Sequence, residues 1–488
     1  MLNFLIYIQS VIVRVILPLQ LKHAPMKRFL LAALPIAGFI AISGTIDLGQ
    51  PDNYANQVIP NYIAKDNTPL NNEITDKGAT LGRVLFYDKK LSVNNSKSCA
   101  SCHKQQFAFG DTASASEGVN GTTGRHSMRL VNARFANEVR FFWDERAATL
   151  EQQTTQPIQD HAEMGYSGQN GDPNITDLIA KMNGIWYYPE LFTWVYGDAQ
   201  ITENRIQLAL AQFVRSIQSF DSKYDAGIVQ AGNPNGPFPN FTQQENQGKG
   251  LFMQAPVFDA NGIRVGGGAG CQRCHAGPEF DIAPTSRNNG VTGSFTLPND
   301  INNTRAPSLR DMVDANGNAY GGFMHNAGQN GINTLLDVIN HYDSIPQNNP
   351  NLDPRLRPGG NLQRLRLSVQ EKANLVAFLR TLTGSNIYTD PKWSDPFTND
   401  SLTIIPEPAY VQQAIATASA KVYPTVTAGK VMIEYPSALT HTRMQVSDMN
   451  GRILLNGYIG NSIDLSEQPA GMYFVKFENG QTVKLIKQ

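Results

Sequence analysis

Cys99-Ala100-Ser101-Cys102-His103 sets two thiols and an imidazole on one short stretch of chain. Two cysteines separated by two residues and followed at once by histidine read as a c-type haem attachment site. Each thiol can form a thioether to a porphyrin vinyl group. The histidine then lies beneath the iron as its proximal ligand. Cys271-Gln272-Arg273-Cys274-His275 repeats the pattern. The chain has 4 cysteines, and the two motifs use all of them. A zinc site built from the two cysteine pairs is the competing chemistry, but it leaves the histidine after each pair without a role. The expected cofactors are therefore two covalently bound c-type haems, with His103 and His275 on the irons.

Related elements must hold the two motifs. Gly82-Arg83-Val84-Leu85-Phe86 precedes Cys99, and Gly248-Lys249-Gly250-Leu251-Phe252 precedes Cys271. This shared pattern points to two cytochrome c-like domains, each a few helices around a porphyrin. A helix is expected over Thr202 to Phe220, where Ile206, Leu210, Phe213, Ile217 and Phe220 recur at helical spacing. Thr242 with Glu245 and Ser368 with Glu371 are candidate capping boxes, the second opening a helix that Gly384 would stop. Long Gly/Asn/Pro-rich loops, such as 231–241 and 281–303, lie between helices. Few strand signals occur before residue 400, so the fold class is mainly α. From Val422 the period falls to two. Strands are expected over 430–435, 442–446, 452–455 and 472–477, with turns at Asn450-Gly451 and Asn479-Gly480. This tail reads as a small antiparallel β-sandwich. The expected division is a leader over 1–50, haem domains over 51–235 and 236–384, a linker over 385–422 and the sandwich over 423–488.

The chain of 488 residues is 41% hydrophobic, enough for real cores, and its formal net charge of -1 gives no attraction to nucleic acid. Haem attachment points to export, since these thioethers are made outside the cytoplasm. Met26-Lys27-Arg28 opens a basic stretch, Leu30 to Ile42 is apolar, and Ala41, Ser43 and Gly44 are small, which reads as a signal peptide over about 26–44. An N-terminal anchor from Leu2 to Ile42 is the alternative. It is disfavoured by Arg14, Lys22, His23, Lys27 and Arg28 within the run.

Two resemblances follow from the motifs. Residues from about 58 to 384 resemble the bacterial di-haem cytochrome c peroxidases, a family that includes the methylamine dehydrogenase maturation enzymes (MauG). The matching pieces are Leu81 to Asp88, both haem motifs, Phe142-Trp143-Asp144-Glu145-Arg146-Ala147, Pro157-Ile158 through Glu163-Met164, Ala306 to Arg310 and Thr334 to Tyr342. The tail resembles the C-terminal sorting domain of the type IX secretion pathway, through Tyr423-Pro424, Asp448 to Gly451 and Pro469 to Lys476. That resemblance implies a secretion-machinery partner and export to the periplasm, cell surface or medium.

The peroxidase resemblance implies roles. Peroxide would react at the His103 haem, with Glu163 as the acid–base carboxylate and Trp143 as the electron relay between haems. Glu145 stands where the family usually has glycine, and reads as a surface-loop variation. The loop Ser116 to Thr122 lacks the removable distal histidine of well-studied peroxidases, which implies an iron open in every redox state. His126 is the competing ligand. It replaces an asparagine that helps bind calcium between the haems, and so weakens the expectation of Ca2+, because a hard cation prefers oxygen. His161 is expected in solvent. On the His275 haem, alignment places Tyr342 opposite the histidine, with His341 and Met324 as alternatives. His23 and His441 are expected to be inert. The reading is an exported cytochrome-c peroxidase that takes electrons from a small c-type cytochrome or similar donor. A homodimer is compatible with it, as in many relatives. The alternatives are a MauG-like oxidase acting on a partner protein and a non-enzymatic two-haem electron carrier.

Overall fold

The computed structural model describes residues 45–488, apart from 138, 283, 284, 303, 306, 408–417 and 441. The signal-peptide reading, His23 and His441 fall outside the described residues.

Helix α1 (Asp76–Tyr87) starts where the Thr75 hydroxyl accepts a bond from Gly78 N at 2.8 Å. It is followed by α2 (Cys99–Cys102), α3 (Leu150–Thr154), α4 (Ile175–Asn183), α5 (Tyr187–Tyr196) and α6 (Glu203–Ser216). α1 packs across α6, and the crossing explains the first glycine of the repeated pattern. A Cβ at Gly82 would lie 2.0 Å from the Ala209 carbonyl oxygen, so only glycine lets the backbones approach this closely. Leu81, Leu85, Phe86, Leu210 and Phe213 close the core around the crossing. Each such buried side chain contributes about 1.5–3 kcal/mol.

The second domain repeats the device. Helices α7 (Lys223–Ala231), α8 (Gln243–Met253), α9 (Leu335–Asp343) and α10 (Val369–Arg380) carry it. α8 and α10 begin at the two capping boxes read from the sequence. A Cβ at Gly248 would lie 1.9 Å from the Asn374 carbonyl oxygen at the α8–α10 crossing. Tyr224, Phe238, Phe252, Phe280 and Phe378 fill the core beside it.

Several expectations need correction. The helix expected over 202–220 stops at Ser216, because Asn132 captures the chain beyond it. Asn132 N donates to Ile217 O at 3.0 Å, and Asn132 Nδ2 donates to Ser219 O at 3.0 Å. α10 ends ahead of Gly384, where the Thr381 hydroxyl bonds back to Phe378 O at 2.6 Å. Tyr224 and Ile228 on α7 belong to the second core, although the expected boundary put them in the first domain. The first domain also recruits both flanks. β1 (Thr45–Asp47) pairs in parallel with a strand at 401–405, so residues expected in the leader are part of the fold. Ile387, Trp393 and Leu402 are buried in the first core, so the expected linker is structural in its first half.

Between the helices lie two short hairpins, β2 (Pro256–Phe258) with β3 (Arg264–Gly267) and β4 (His275–Ala276) with β5 (Asp281–Ile282). β6 (Phe397–Thr398) and β7 (Ser401–Ile405) complete the sheet with β1. The tail is a two-sheet sandwich of β8 (Lys421–Tyr423), β9 (Val426–Thr427), β10 (Lys430–Glu434), β11 (Arg443–Asp448), β12 (Ile453–Tyr458), β13 (Ser462–Asp464), β14 (Gly471–Phe477) and β15 (Thr482–Lys487). Sheet β13-β10-β8 faces sheet β12-β11-β14-β15-β9 across Val431, Val446, Val475 and Leu485. All its pairings are antiparallel except β15 with β9. Gly451 and Gly480 take positive φ, as Asn-Gly turns require. Among the described residues no helix is long and apolar enough to cross a membrane.

Candidate functional site

The first motif is a turn of helix. Ser98 caps it, and its ends carry Cys99 and Cys102 as free thiols on one side. The chain leaves the helix at His103, whose Nδ1 bonds to Phe109 O at 3.1 Å. A carbonyl can only accept, so Nδ1 carries the proton and Nε2 keeps its lone pair for a metal. Phe109 and Ala108 adopt positive φ to turn that carbonyl back toward the ring. Burial holds the His103 pKa down, which keeps the imidazole in its ligating form. Desolvation pushes Cys99 up to about 12 and Cys102 up to about 11, as suits thiols consumed in thioethers and not used as thiolates.

Glu163 belongs to this site. Its carboxyl acts electrostatically on both Cys99 and Cys102. The Asp160 carboxylate receives Ala162 N at 2.8 Å and Glu163 N at 3.1 Å, which fixes the turn. Val119 N bonds to Glu163 O at 3.0 Å, and Asn120 N bonds to Ala162 O at 3.2 Å. A Cβ at Gly118 would fall 1.9 Å from Ala162 O. The histidine-free loop 116–122 is thus fastened to the Glu163 turn along its backbone. Glu163 is half-buried in a polar cleft with Arg146, Gln156, Gln159 and Asp160. Burial, reinforced by Asp160 and opposed by Arg146, pushes its pKa up to about 7. A carboxyl at that value can both take and give a proton near neutrality. His161 is exposed and pairs with Asp172 at 2.8 Å.

The second motif opens into a large apolar cavity. Cys271, Cys274, His275, Met324, Tyr342 and Trp143 are among its walls. Burial pushes His275 down to about 4, and its Nδ1 is buried without a hydrogen-bond partner. Tyr342, on α9, acts electrostatically on Cys274 and Cys271, and its hydroxyl is held protonated by desolvation. Asn289 connects the alternatives. Its Nδ2 donates to Met324 Sδ at 3.2 Å, its side chain acts on the Tyr342 hydroxyl, and its carbonyl bonds to His341 Nε2 at 2.9 Å. His341 is therefore engaged on a carbonyl and does not line the cavity, whereas Tyr342 and Met324 do. These residues fit a covalently held haem: paired free thiols, an imidazole and an apolar cradle. The buried Arg129 Nε and Arg305 Nε also lack partners and suit its propionates. Sequence reasoning missed both arginines and Asn289, since no local motif marks them.

Trp143 is buried on the wall of the second cavity. Its Nε1 donates to His126 O at 2.6 Å, its carbonyl receives Arg305 N at 2.6 Å, and its ring stands 6.3 Å from that of His325. His126 is buried, and its Nδ1 bonds to Ala113 O at 3.0 Å. It acts electrostatically on His103 and lines the apolar cavity, whereas Glu163 lines the polar cleft. Among the described residues no group of three or more His, Cys, Asp or Glu is placed to hold a further metal ion. Glu145 is not a surface residue. It is 8% exposed, has φ 58, and accepts a bond from Ser286 Oγ at 3.1 Å. The left-handed backbone explains a preference for glycine, and the buried hydrogen bond offsets the strain of a side chain there.

Residues 76–232 match the family model of the di-haem cytochrome c peroxidases, and residues 421–488 match that of the secretion system C-terminal sorting domain. The chain is 29% identical over 329 residues to methylamine utilization protein MauG of Methylophilus methylotrophus, covering 65% of this chain and 85% of that protein. It is 26% identical over 365 residues to cytochrome-c peroxidase IdrP1 of Denitromonas iodatirespirans, covering 66% and 86%. A solved MauG-like protein associated with microbial copper homeostasis superposes with a TM-score of 0.54 at 28% identity, covering 70% of this chain and 99% of that one. Both resemblances read from the motifs are thus borne out, and the haem domains have relatives among peroxidases and among MauG proteins.

Proposed function

We propose that the chain is an exported di-haem peroxidase that reduces hydrogen peroxide to water with electrons from a small c-type cytochrome or similar donor. The observation that carries this reading is Glu163: a carboxyl raised to about 7 by burial in a polar cleft, close enough to act electrostatically on Cys99 and Cys102 of the first motif. Its carboxylate takes a proton from one peroxide oxygen and returns it to the other, which leaves as water. Two electrons and two protons complete the reduction. His103 would hold the iron of this haem and His275 that of the second, with Cys99, Cys102, Cys271 and Cys274 as thioether anchors. A haem bound there supplies the redox-active iron at which the O–O bond is cleaved. Tyr342, which lines the same cavity as His275, is the oxygen donor we assign to the second haem; such a donor would lower its potential. Trp143, buried on the wall of the second cavity, is the relay we assign to electrons arriving from the second site. Loop 116–122 brings no histidine and is bonded along its backbone to the Glu163 turn, which supports a peroxide site open without prior reduction.

The test is peroxide-dependent oxidation of reduced cytochrome c by the fully oxidised, as-isolated holoprotein. Immediate turnover is expected. Turnover only after partial reduction would sink the open-site reading and turn attention to His126. Haem bands that shift with peroxide while cytochrome c survives favour the second reading, oxidation of a partner protein, for which Tyr342 in the second cavity is the supporting observation. Haem bands that ignore peroxide leave an electron carrier.

A further inference from the structure

Tyr188 lies in the same core on which Cys99 packs, on the side of the first haem motif. Its ring is 4.7 Å from that of Tyr187, centroid to centroid, and Tyr187 is 5.6 Å from Trp186 in an edge-to-face arrangement. Tyr188 and Tyr187 are buried, whereas Trp186 is 60% exposed at the start of α5. The line thus ends on an indole in solvent. It is also joined by a shared acid. Both phenols donate to one oxygen of the buried Asp88, Tyr187 at 2.5 Å and Tyr188 at 2.6 Å. Lys90 Nζ lies 3.3 Å from the Tyr187 hydroxyl, which leaves the phenol proton directed at Asp88. A phenol bonded to a carboxylate can give up its electron without stranding a charge, because the proton passes to the carboxylate at the same time. Among the described residues, the second domain's ring cluster of Tyr224, Phe238, Phe252, Phe280 and Phe378 is buried throughout.

We propose that Tyr188, Tyr187 and Trp186 form an outlet for oxidising equivalents from the first site. At its surface end, phenols carried on molecules too large to reach Glu163 are oxidised. This rests on the peroxidase reading. One peroxide accepts two electrons and two protons and becomes two waters. Two phenols each lose one electron, through Trp186, and one proton, to solvent, and become two phenoxyl radicals. In transit, the hole on Tyr187 or Tyr188 is neutralised by moving its phenol proton to Asp88 Oδ2 and back. Because both phenols share that oxygen, one hole crosses at a time.

The experiment uses holoprotein treated with peroxide in the presence of a spin trap, followed by peptide mapping. An adduct on Trp186 is expected, lost in Trp186→Phe and in Tyr187→Phe. Tyramine coupled to dextran is the bulky phenol, read by dityrosine fluorescence. Its oxidation should fall to the peroxide-free background in Trp186→Phe while cytochrome c oxidation persists. Haem bands that respond to peroxide with no adduct on Trp186, or equal dextran oxidation in Trp186→Phe, overturn the outlet alone. Haem bands that do not respond overturn the peroxidase reading and the outlet with it.

Discussion

The two haem-motif domains share the frame that holds the motif and differ in what surrounds it. Both hang a C-x-x-C-H motif beside a helix crossing closed by a glycine, Gly82 on Ala209 in one and Gly248 on Asn374 in the other. Beyond that, the first domain presents a half-buried carboxyl in a polar cleft. The second presents Tyr342 and Met324 in an apolar cavity, linked by Asn289. The difference teaches how one scaffold can carry two unlike surroundings. On the peroxidase reading we propose, the carboxyl makes its cleft the place for substrate, and the apolar cavity suits electron transfer.

Four variants test that comparison. The largest effect is expected from Glu163→Gln, which keeps shape but removes the base. Peroxide reduction should fall by about 10²–10⁴-fold, the usual weight of a positioned acid–base group, with haem content unchanged. In the unaltered protein the rate should decline as pH falls through about 7, because the raised pKa protonates the base there. Stopped-flow mixing with peroxide across pH reads both. A rate that ignores pH and the substitution would erase the contrast between the faces.

Next come Gly82→Ala and Gly248→Ala, which probe what the domains share. Each drives a Cβ into a carbonyl and should cost about 1–3 kcal/mol, read as matched losses in melting temperature. Unequal losses would mean the crossings are not equivalent. The smallest effect is expected from Tyr342→Phe. It should alter the absorption and magnetic signature of one haem only and leave peroxide binding at the other intact. No spectral change would pass the ligand assignment to Met324, since His341 is bonded to the Asn289 carbonyl.

Much of this was legible in the sequence. The cysteine count fixed two haem motifs, the G-x-x-L-F repeat marked two helix crossings, and the change of period at Val422 marked the tail. These signals are local: each is a spacing along one segment, set by helix pitch, strand pleat or the reach of a porphyrin. The misread elements depended on partners distant in sequence. Asn132 ended α6, strand β7 claimed β1, and Trp393 tied the expected linker into the first core. Glu145 looked like a surface variation until its backbone angle and Ser286 showed otherwise. The same holds at the site. The sequence supplied Glu163, Trp143 and Tyr342 through motif order. The fold decided that burial raises Glu163, that His341 turns to a carbonyl, that Asn289 links two candidate ligands, and that three consecutive aromatics run from core to solvent. Desolvation and hydrogen bonding depend on what surrounds a side chain in space, and those surroundings exist only after the chain has packed.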